Sequence, residues 1–205
     1  MRAPRAVVAG DLNGDGSDDL VVADTTASTV SVLLSLGTEL TQAVDYPVGG
    51  GPNALAIGDF DGDGHPDIAT ANGASDTVSV LAGLGDGTFA VAVSRPAPGF
   101  PWAIAAGDLD RDGRDDIAVV NQGTAELTVF LSDGDILFRP RLDTQHFSVA
   151  IADVEADGAP CVECATELGA SYLFLIPKHK SGRSVFLEAV FRDEQILTIG
   201  PAARE

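Results

Sequence analysis

The chain has 205 residues, of which 45% are hydrophobic and 6% aromatic, and it carries a formal net charge of -19. This length and apolar fraction suffice for a hydrophobic core in a single domain, although a chain of this length could also fold as two halves. The negative charge argues against a nucleic-acid partner, because phosphates are neutralised by clustered lysine and arginine. The one locally basic run, 178–183, is interpreted as a solvated turn. No apolar stretch reaches the roughly 18 residues of a membrane span, and no signal peptide is recognisable near the N-terminus.

Acidic nine-residue segments recur along the chain. The first three are DLNGDGSDD at 11–19, DFDGDGHPD at 59–67 and DLDRDGRDD at 108–116, and a weaker fourth, DVEADGAPC, lies at 153–161. Their starting points are 48, 49 and 45 residues apart, a spacing typical of propeller blades and solenoid repeats. The sequence is therefore predicted to contain four tandem units.

Each unit also contains four short apolar segments. In the first unit they are AVVAGDL, DDLVVADT, TVSVLLSL and LTQAVDYPV, and the later units repeat this order. Short segments rich in Val, Ile and Leu, bounded by Gly, Pro, Asn and Asp, are typical of strands and turns, and none shows sustained helical periodicity. Four-stranded tandem units predict an all-β fold, a β-propeller of four-stranded antiparallel blades. The predicted blades span about residues 5–50, 51–99, 100–145 and 146–193, and 194–205 is a tail or the truncated first strand of a next blade.

Oxygen-bearing side chains occupy positions one, three, five and nine of the first three acidic segments. A glycine after position five permits the positive φ of a tight turn around a cation. This pattern predicts calcium, which accepts many oxygen ligands and one backbone carbonyl, here expected from position seven. An EF-hand is excluded, because it requires a glutamate at position twelve and flanking helices. The alternative is that Asp-Gly clusters only form turns. The predicted ligands are Asp11, Asn13, Asp15, Ser17 and Asp19; Asp59, Asp61, Asp63, His65 and Asp67; and Asp108, Asp110, Asp112, Arg114 and Asp116.

The fourth acidic segment departs from this pattern. Glu155 stands at position three and Cys161 at position nine, and a thiolate is a poor ligand for a hard cation. About three calcium ions are therefore predicted. Cys161 and Cys164 form a single CxxC, for which free thiols or a local disulfide are favoured over a zinc site because no second ligand pair is present.

These motifs resemble the FG-GAP repeat, and LGDGTF at 84–89 resembles its bacterial FG-GAP-like or VCBS form. The resemblance covers about residues 5–165. It implies the β-propeller of the integrin alpha-subunit head, with calcium in the loop between the first and second strands of a blade. It further implies an extracellular or cell-surface module that binds proteins or glycans, or that is appended to an enzyme.

The predicted topology puts the acidic segments on one face of the propeller and the second-to-third-strand loops and blade connections on the other. Rings and amides on that second face predict a site for a sugar or a peptide. For Trp102, packing between blades near the axis is the alternative. The candidate ligand-binding residues are Tyr46, Asn72, Arg95, Trp102, Asn121 and His146, and Phe100 lies on the same face.

A non-catalytic recognition or adhesion module is the predicted function. The three histidines at 65, 146 and 179 accompany no repeated nucleophile, and nucleophile-elbow and phosphate-loop motifs are absent. The alternative is the propeller portion of a carbohydrate-active enzyme such as a polysaccharide lyase, with His146 or a basic residue as the base.

The number of blades does not determine how the propeller is completed. The family usually closes seven blades, whereas four are predicted here, so two apolar blade faces need cover. A closed four-bladed ring, a homodimer of two arcs, and further blades of the same polypeptide would each provide it. The last is favoured, because EQILTIGP at 194–201 has the pattern of another first strand.

Overall fold

A computed structural model describes residues 3–134, 136–138, 146–152, 161–166, 171–175, 187–191 and 196–199. All regular elements in these ranges are β-strands, and no helix there is long and apolar enough to cross a membrane. The strands are β1 Pro4–Gly10, β2 Asp19–Asp24, β3 Thr29–Leu33, β4 Val44–Pro47, β5 Pro52–Gly58, β6 Asp67–Asn72, β7 Thr77–Leu81, β8 Val93–Pro96, β9 Pro101–Gly107, β10 Asp116–Asn121, β11 Glu126–Phe130, β12 Ile136–Phe138, β13 His146–Ala152, β14 Cys161–Thr166, β15 Ser171–Leu175, β16 Leu187–Phe191 and β17 Ile196–Ile199.

The strands form antiparallel sheets in which each strand pairs with its neighbour in sequence. Sheet one contains β1–β4, sheet two β5–β8, sheet three β9–β12 and sheet four β13–β17. This confirms the predicted all-β fold of tandem four-stranded units. The segment at 194–201 was expected to contain the first strand of another blade. The structure corrects this expectation, because strand β17 pairs with β16 as the fifth strand of sheet four.

Neighbouring sheets pack through their first strands, β1 against β5, β5 against β9 and β9 against β13. The close approach depends on the glycines that end β1 and β9. A Cβ at Gly10 would lie 3.1 Å from Ile57 of sheet two, and a Cβ at Gly107 would lie 2.8 Å from Ile151 of sheet four. In the described residues β1 and β13 do not pack in this way, so the four sheets form an open arc.

The hydrophobic core lies between successive sheets. One cluster of buried side chains joins sheets one and two and includes Val30, Ile68 and Phe89. A second cluster joins sheets two and three and includes Val78 and Ile117. β-branched side chains fill these surfaces because they pack well on a pleated sheet.

The up-and-down topology gives the arc two ends. The acidic-loop end carries the loops at 11–18, 59–66 and 108–115, together with the loops that follow β3, β7 and β11. The opposite end carries the turns at 25–28, 73–76 and 122–125 and the connections between sheets at 48–51 and 97–100.

Candidate functional site

Two of the acidic loops each bring three carboxylates together. Each residue offers one oxygen, and within each group these oxygens all lie within 4.8 Å of one another. The members stand at positions one, three and nine of the predicted ligand pattern. This spacing fits a single cation with several oxygen ligands. The two groups are Asp59, Asp61 and Asp67, and Asp108, Asp110 and Asp116.

Position five of each loop has a different role in this structure. The carboxylate of Asp63 accepts the N–H of His65 at 2.8 Å, and that of Asp112 accepts the N–H of Arg114 at 2.9 Å. These bonds shape the turn, and the two carboxylates lie outside the three-membered groups. Metal ligation by position five, and by the carbonyl of position seven, stays a prediction.

The first acidic loop has the same turn but a different ligand set. Asp11 accepts the N–H groups of Gly14 and Gly16, each at 2.8 Å, and Gly16 has a φ of 83°. The N–H of Ser17 and the Asn13 side chain lower the pKa of Asp15. An amide at position three, in place of a carboxylate, makes this loop less negative than the other two.

The aspartate at position nine is the structural anchor of each loop. Asp67 is fully buried, and its two oxygens accept the N–H of Phe60 at 2.8 Å and the N–H of Gly83 at 2.7 Å. Asp19 and Asp116 make the equivalent pair of bonds. Each aspartate thereby ties its acidic loop to the loop that follows the third strand of the same sheet. Sequence reasoning missed this second role, although the position at the start of an apolar strand was a signal for it.

Burial and crowding disfavour the charged form of several of these groups. Burial raises the pKa of Asp116 to about 6, with the nearby Asp110 carboxylate adding to the effect. Burial also raises the pKa of Asp67 and of Asp110, and the charge of Asp112 contributes at Asp110. A bound cation would offset this repulsion, so the donor set fits a hard divalent ion.

The opposite end carries an aromatic and cationic cluster. Arg5, Asn53 and Trp102 occupy equivalent positions, each the second residue of its first strand. The Arg5 guanidinium carbon lies 4.5 Å from the centroid of the Trp102 ring, so sheets one and three meet at this point. These residues line an open cavity of about 470 Å³ together with Thr25 and Thr26. Trp102 therefore lies where sheets one and three meet, and it also faces a cavity.

Phe100 extends this cluster from a strained backbone position. Its φ is 60°, whereas the equivalent residue before sheet two is Gly51, with a φ of 65°. The Phe100 N–H donates to Asp76 at 2.7 Å, and its carbonyl accepts from the Gln122 N–H at 3.0 Å. Its ring stacks on Trp102 at a centroid distance of 6.0 Å and remains 40% exposed. A positive φ is unusual for a bulky residue, and strain of this kind concentrates at functional sites.

The structure corrects the other predicted ligand residues. Asn72 and Asn121 are fully buried, and their amides bond to hydroxyl groups of their own sheets, Ser79 at 2.8 Å and Thr128 at 2.8 Å. The topology placed them at the correct end but did not show that they point inward.

The two predicted contacts on outer strands do not line the cavity at the opposite end. Tyr46 packs edge-on against Phe89, with a centroid distance of 5.5 Å, in the core between sheets one and two. Arg95 is exposed and lines a cavity between sheets two and three. The side chain of His146 and the acidic segment at 153–160 lie outside the described residues.

Structures of other β-propeller proteins share this fold. BBS1N, solved in complex with ARL6DN, is 14% identical, with a TM-score of 0.63 over 94% of this chain and 59% of that one. Virginiamycin B lyase from Staphylococcus aureus is 13% identical, with a TM-score of 0.57 over 95% of this chain and 68% of that one. An Agrocybe aegerita lectin that recognises non-reducing terminal N-acetylglucosamine is 24% identical, with a TM-score of 0.57 over 85% of this chain and 48% of that one.

These identities establish the fold alone, and the chain spans between about half and two thirds of the length of these proteins. No curated protein sequence gives a significant match. The family model of the FG-GAP-like repeat matches residues 11–70 and again 59–119. The two matches meet at the acidic segment of sheet two, and together they cover more than half of the chain. The chain therefore belongs to the FG-GAP-like repeat family.

Proposed function

We propose that this chain is a calcium-stabilised recognition module that binds a protein or glycan ligand at its opposite end and catalyses no reaction. The calcium part is supported by the two groups of three carboxylates whose oxygens lie within 4.8 Å of one another. Calcium would be held by positions one, three and nine, with an amide at position three of the first loop. Its charge would offset the burial and the carboxylate repulsion that together raise the pKa of Asp116 and Asp110.

The observation that carries the recognition part is the position of Phe100. A left-handed backbone conformation costs a non-glycine residue roughly 1–2 kcal/mol, and the preceding repeat avoids that cost with Gly51. The residue nevertheless leaves 40% of its surface exposed beside Trp102. An exposed aromatic stack beside the Arg5 guanidinium suits a sugar ring or a flat peptide group, because such surfaces combine apolar area with a polar edge.

The proposal places the module outside the cell and assigns it no catalytic role. Within residues 3–134 the single histidine, His65, belongs to a predicted metal loop. The buried aspartates of the same region already accept backbone N–H bonds. Among the neighbours, BBS1N was solved with a protein partner and the lectin recognises a sugar, so both ligand classes belong in the test.

Trp102 makes the test direct, because it is the single tryptophan of the chain. A glycan array and a library of displayed peptides would supply candidate ligands, and quenching of Trp102 fluorescence would show where they bind. Phe100→Gly is the decisive variant, since it installs the residue that the preceding repeat carries. We expect it to fold with similar stability and to lose at least tenfold in affinity, roughly the contribution of one stacked aromatic group.

Two outcomes would contradict the proposal. Full binding by Phe100→Gly would exclude the aromatic cluster as the ligand site. Release of unsaturated sugars from any arrayed polysaccharide, followed by ultraviolet absorbance, would contradict the non-catalytic role and favour the lyase alternative.

A further inference from the structure

The two successive interfaces between sheets differ in how they are filled. Equivalent positions are given by strand pairing. In sheet one Val30 pairs with Tyr46, and in sheet two Val78 pairs with Arg95. By the same alignment of strands, Leu34 is equivalent to Ala82, because each is the first residue after the third strand of its sheet. The second interface therefore has an arginine and an alanine where the first has a tyrosine and a leucine.

Phe89 fills the first of these interfaces. It is carried by the loop after β7, which bends back through a bridge between Gly83 and Phe89 and a bond from the Leu84 N–H to the Thr88 carbonyl at 2.9 Å. The Phe89 ring is 7% exposed, lies in the core cluster of sheets one and two, and packs edge-on against Tyr46.

Among the side chains that the structure describes, the corresponding loop of sheet three carries no such ring into the second interface. Ser132 is the equivalent of Gly83, because each donates its N–H to the position-nine aspartate of its sheet. Five residues separate Gly83 from Phe89, whereas three separate Ser132 from Ile136, which pairs directly with Phe130 and is 47% exposed. The described side chains of this shorter hairpin therefore leave the site equivalent to that of Phe89 unfilled.

A cavity of about 300 Å³ lies at that place. Phe60 and Phe130 provide aromatic walls, and Val80 and Val93 provide aliphatic ones. Asp61 and Asp115 line it from the acidic-loop end. Arg95, on the outermost strand of the same sheet, supplies a positive charge, and its guanidinium lies beside Gly134 in the loop after β11.

We propose that this cavity binds a small molecule that carries an aromatic ring and one carboxylate, with the ring between Phe60 and Phe130 and the carboxylate on Arg95. The chain itself shows which group fits, because a phenyl ring occupies the equivalent place one interface earlier. The exchange of Tyr46 for Arg95 replaces an edge-on ring with a guanidinium, a strong donor to carboxylates. The carboxylates of Asp61 and Asp115 would repel the carboxylate of the ligand, which leaves Arg95 as its partner. This inference does not depend on the proposed ligand site at the opposite end.

The probe is 3-phenylpropionate, and phenethylamine, with the same ring and the opposite charge, is its matched control. Calorimetry on the whole chain in calcium should detect saturable binding of the anion, at least about tenfold tighter than that of the amine, as expected for a charge-assisted bond. Arg95→Gln should remove this preference. The absence of saturable binding, or equal binding of both probes, would overturn the proposal.

Ala82→Leu tests the cavity without any ligand, because it restores the residue that the first interface carries. If the cavity is empty, Ala82→Leu should have a higher melting temperature than the unaltered chain and should bind 3-phenylpropionate at least about tenfold more weakly. A lower melting temperature would contradict the proposal, since it would show that other residues of the chain already fill the space. Leu34→Ala is the control at the first interface. It should lower the melting temperature and leave 3-phenylpropionate binding unchanged.

Discussion

The two ends of this arc differ in how closely their residues repeat from one sheet to the next. At the acidic-loop end the three described repeats carry oxygen-bearing side chains at the same four positions, and Asp19, Asp67 and Asp116 make the same pair of backbone bonds. At the opposite end equivalent positions hold different residues, as at Gly51 and Phe100. The repeated residues hold each acidic loop in place, and in the proposed function they also bind calcium. Residues that are not repeated, such as Phe100, are where we propose a role that a single blade has acquired.

The largest expected effect concerns the anchor of an acidic loop. Asp67→Ala leaves the buried N–H groups of Phe60 and Gly83 without their acceptor, and each such loss costs about 1–3 kcal/mol. In the absence of calcium we therefore expect a loss of about 3 kcal/mol in the free energy of unfolding. Urea denaturation in a chelator measures it.

The matched control is Asp63→Ala in the same loop. Its carboxylate accepts one exposed bond from the His65 N–H, so its removal should cost a small fraction of the Asp67 effect. Equal losses for the two variants would remove the distinction between a structural anchor and a turn-forming ligand.

The next effect compares acidic loops with each other. The first loop has Asn13 where the other two have Asp61 and Asp110, and calcium affinity rises with the number of charged ligands. Asn13→Asp should therefore tighten calcium binding at the first loop by about tenfold, and Asp61→Asn should weaken the second by a similar factor. Calorimetric titration of the variants measures both changes. No change in either would show that position three does not contact the ion.

The smallest effect concerns backbone strain at the opposite end. Gly51→Ala places a side chain at a φ of 65° and within 2.8 Å of the Ala74 side chain, so we expect a loss of about 1–2 kcal/mol in stability. Phe100→Gly relieves the same strain but loses the stacking on Trp102, and its stability should change by less than about 1 kcal/mol. Thermal unfolding compares the pair. A large loss for Phe100→Gly would make Phe100 a packing residue and would remove the main support for recognition.

Much of the fold could be predicted because its signals are local and repeated. The spacing of the acidic segments and the short strands around them sufficed for the four sheets and for the carboxylates at positions one, three and nine. The anchoring role of Asp67 could not be separated from metal binding, since both roles need a carboxylate at the same place. The membership of β17 in sheet four was also missed, because its apolar pattern fits any first or last strand.

Contacts between different sheets could not be predicted from the sequence. Tyr46 lies against Phe89 through the packing of two sheets, and neither residue indicates the other. Asn72 was expected to face a ligand because loop polarity was the available guide, whereas its amide is bonded within its own sheet. The strain at Phe100 was likewise hidden, because a phenylalanine in the sequence gives no sign of a φ of 60°.

Calcium titration of the whole chain tests the central claim most directly. We predict that calorimetry will count about three bound ions, with the loops at 59–67 and 108–116 filling before the loop at 11–19, and that calcium will raise the melting temperature. A chain that binds no calcium, and whose melting temperature is the same in calcium and in chelator, would contradict the account.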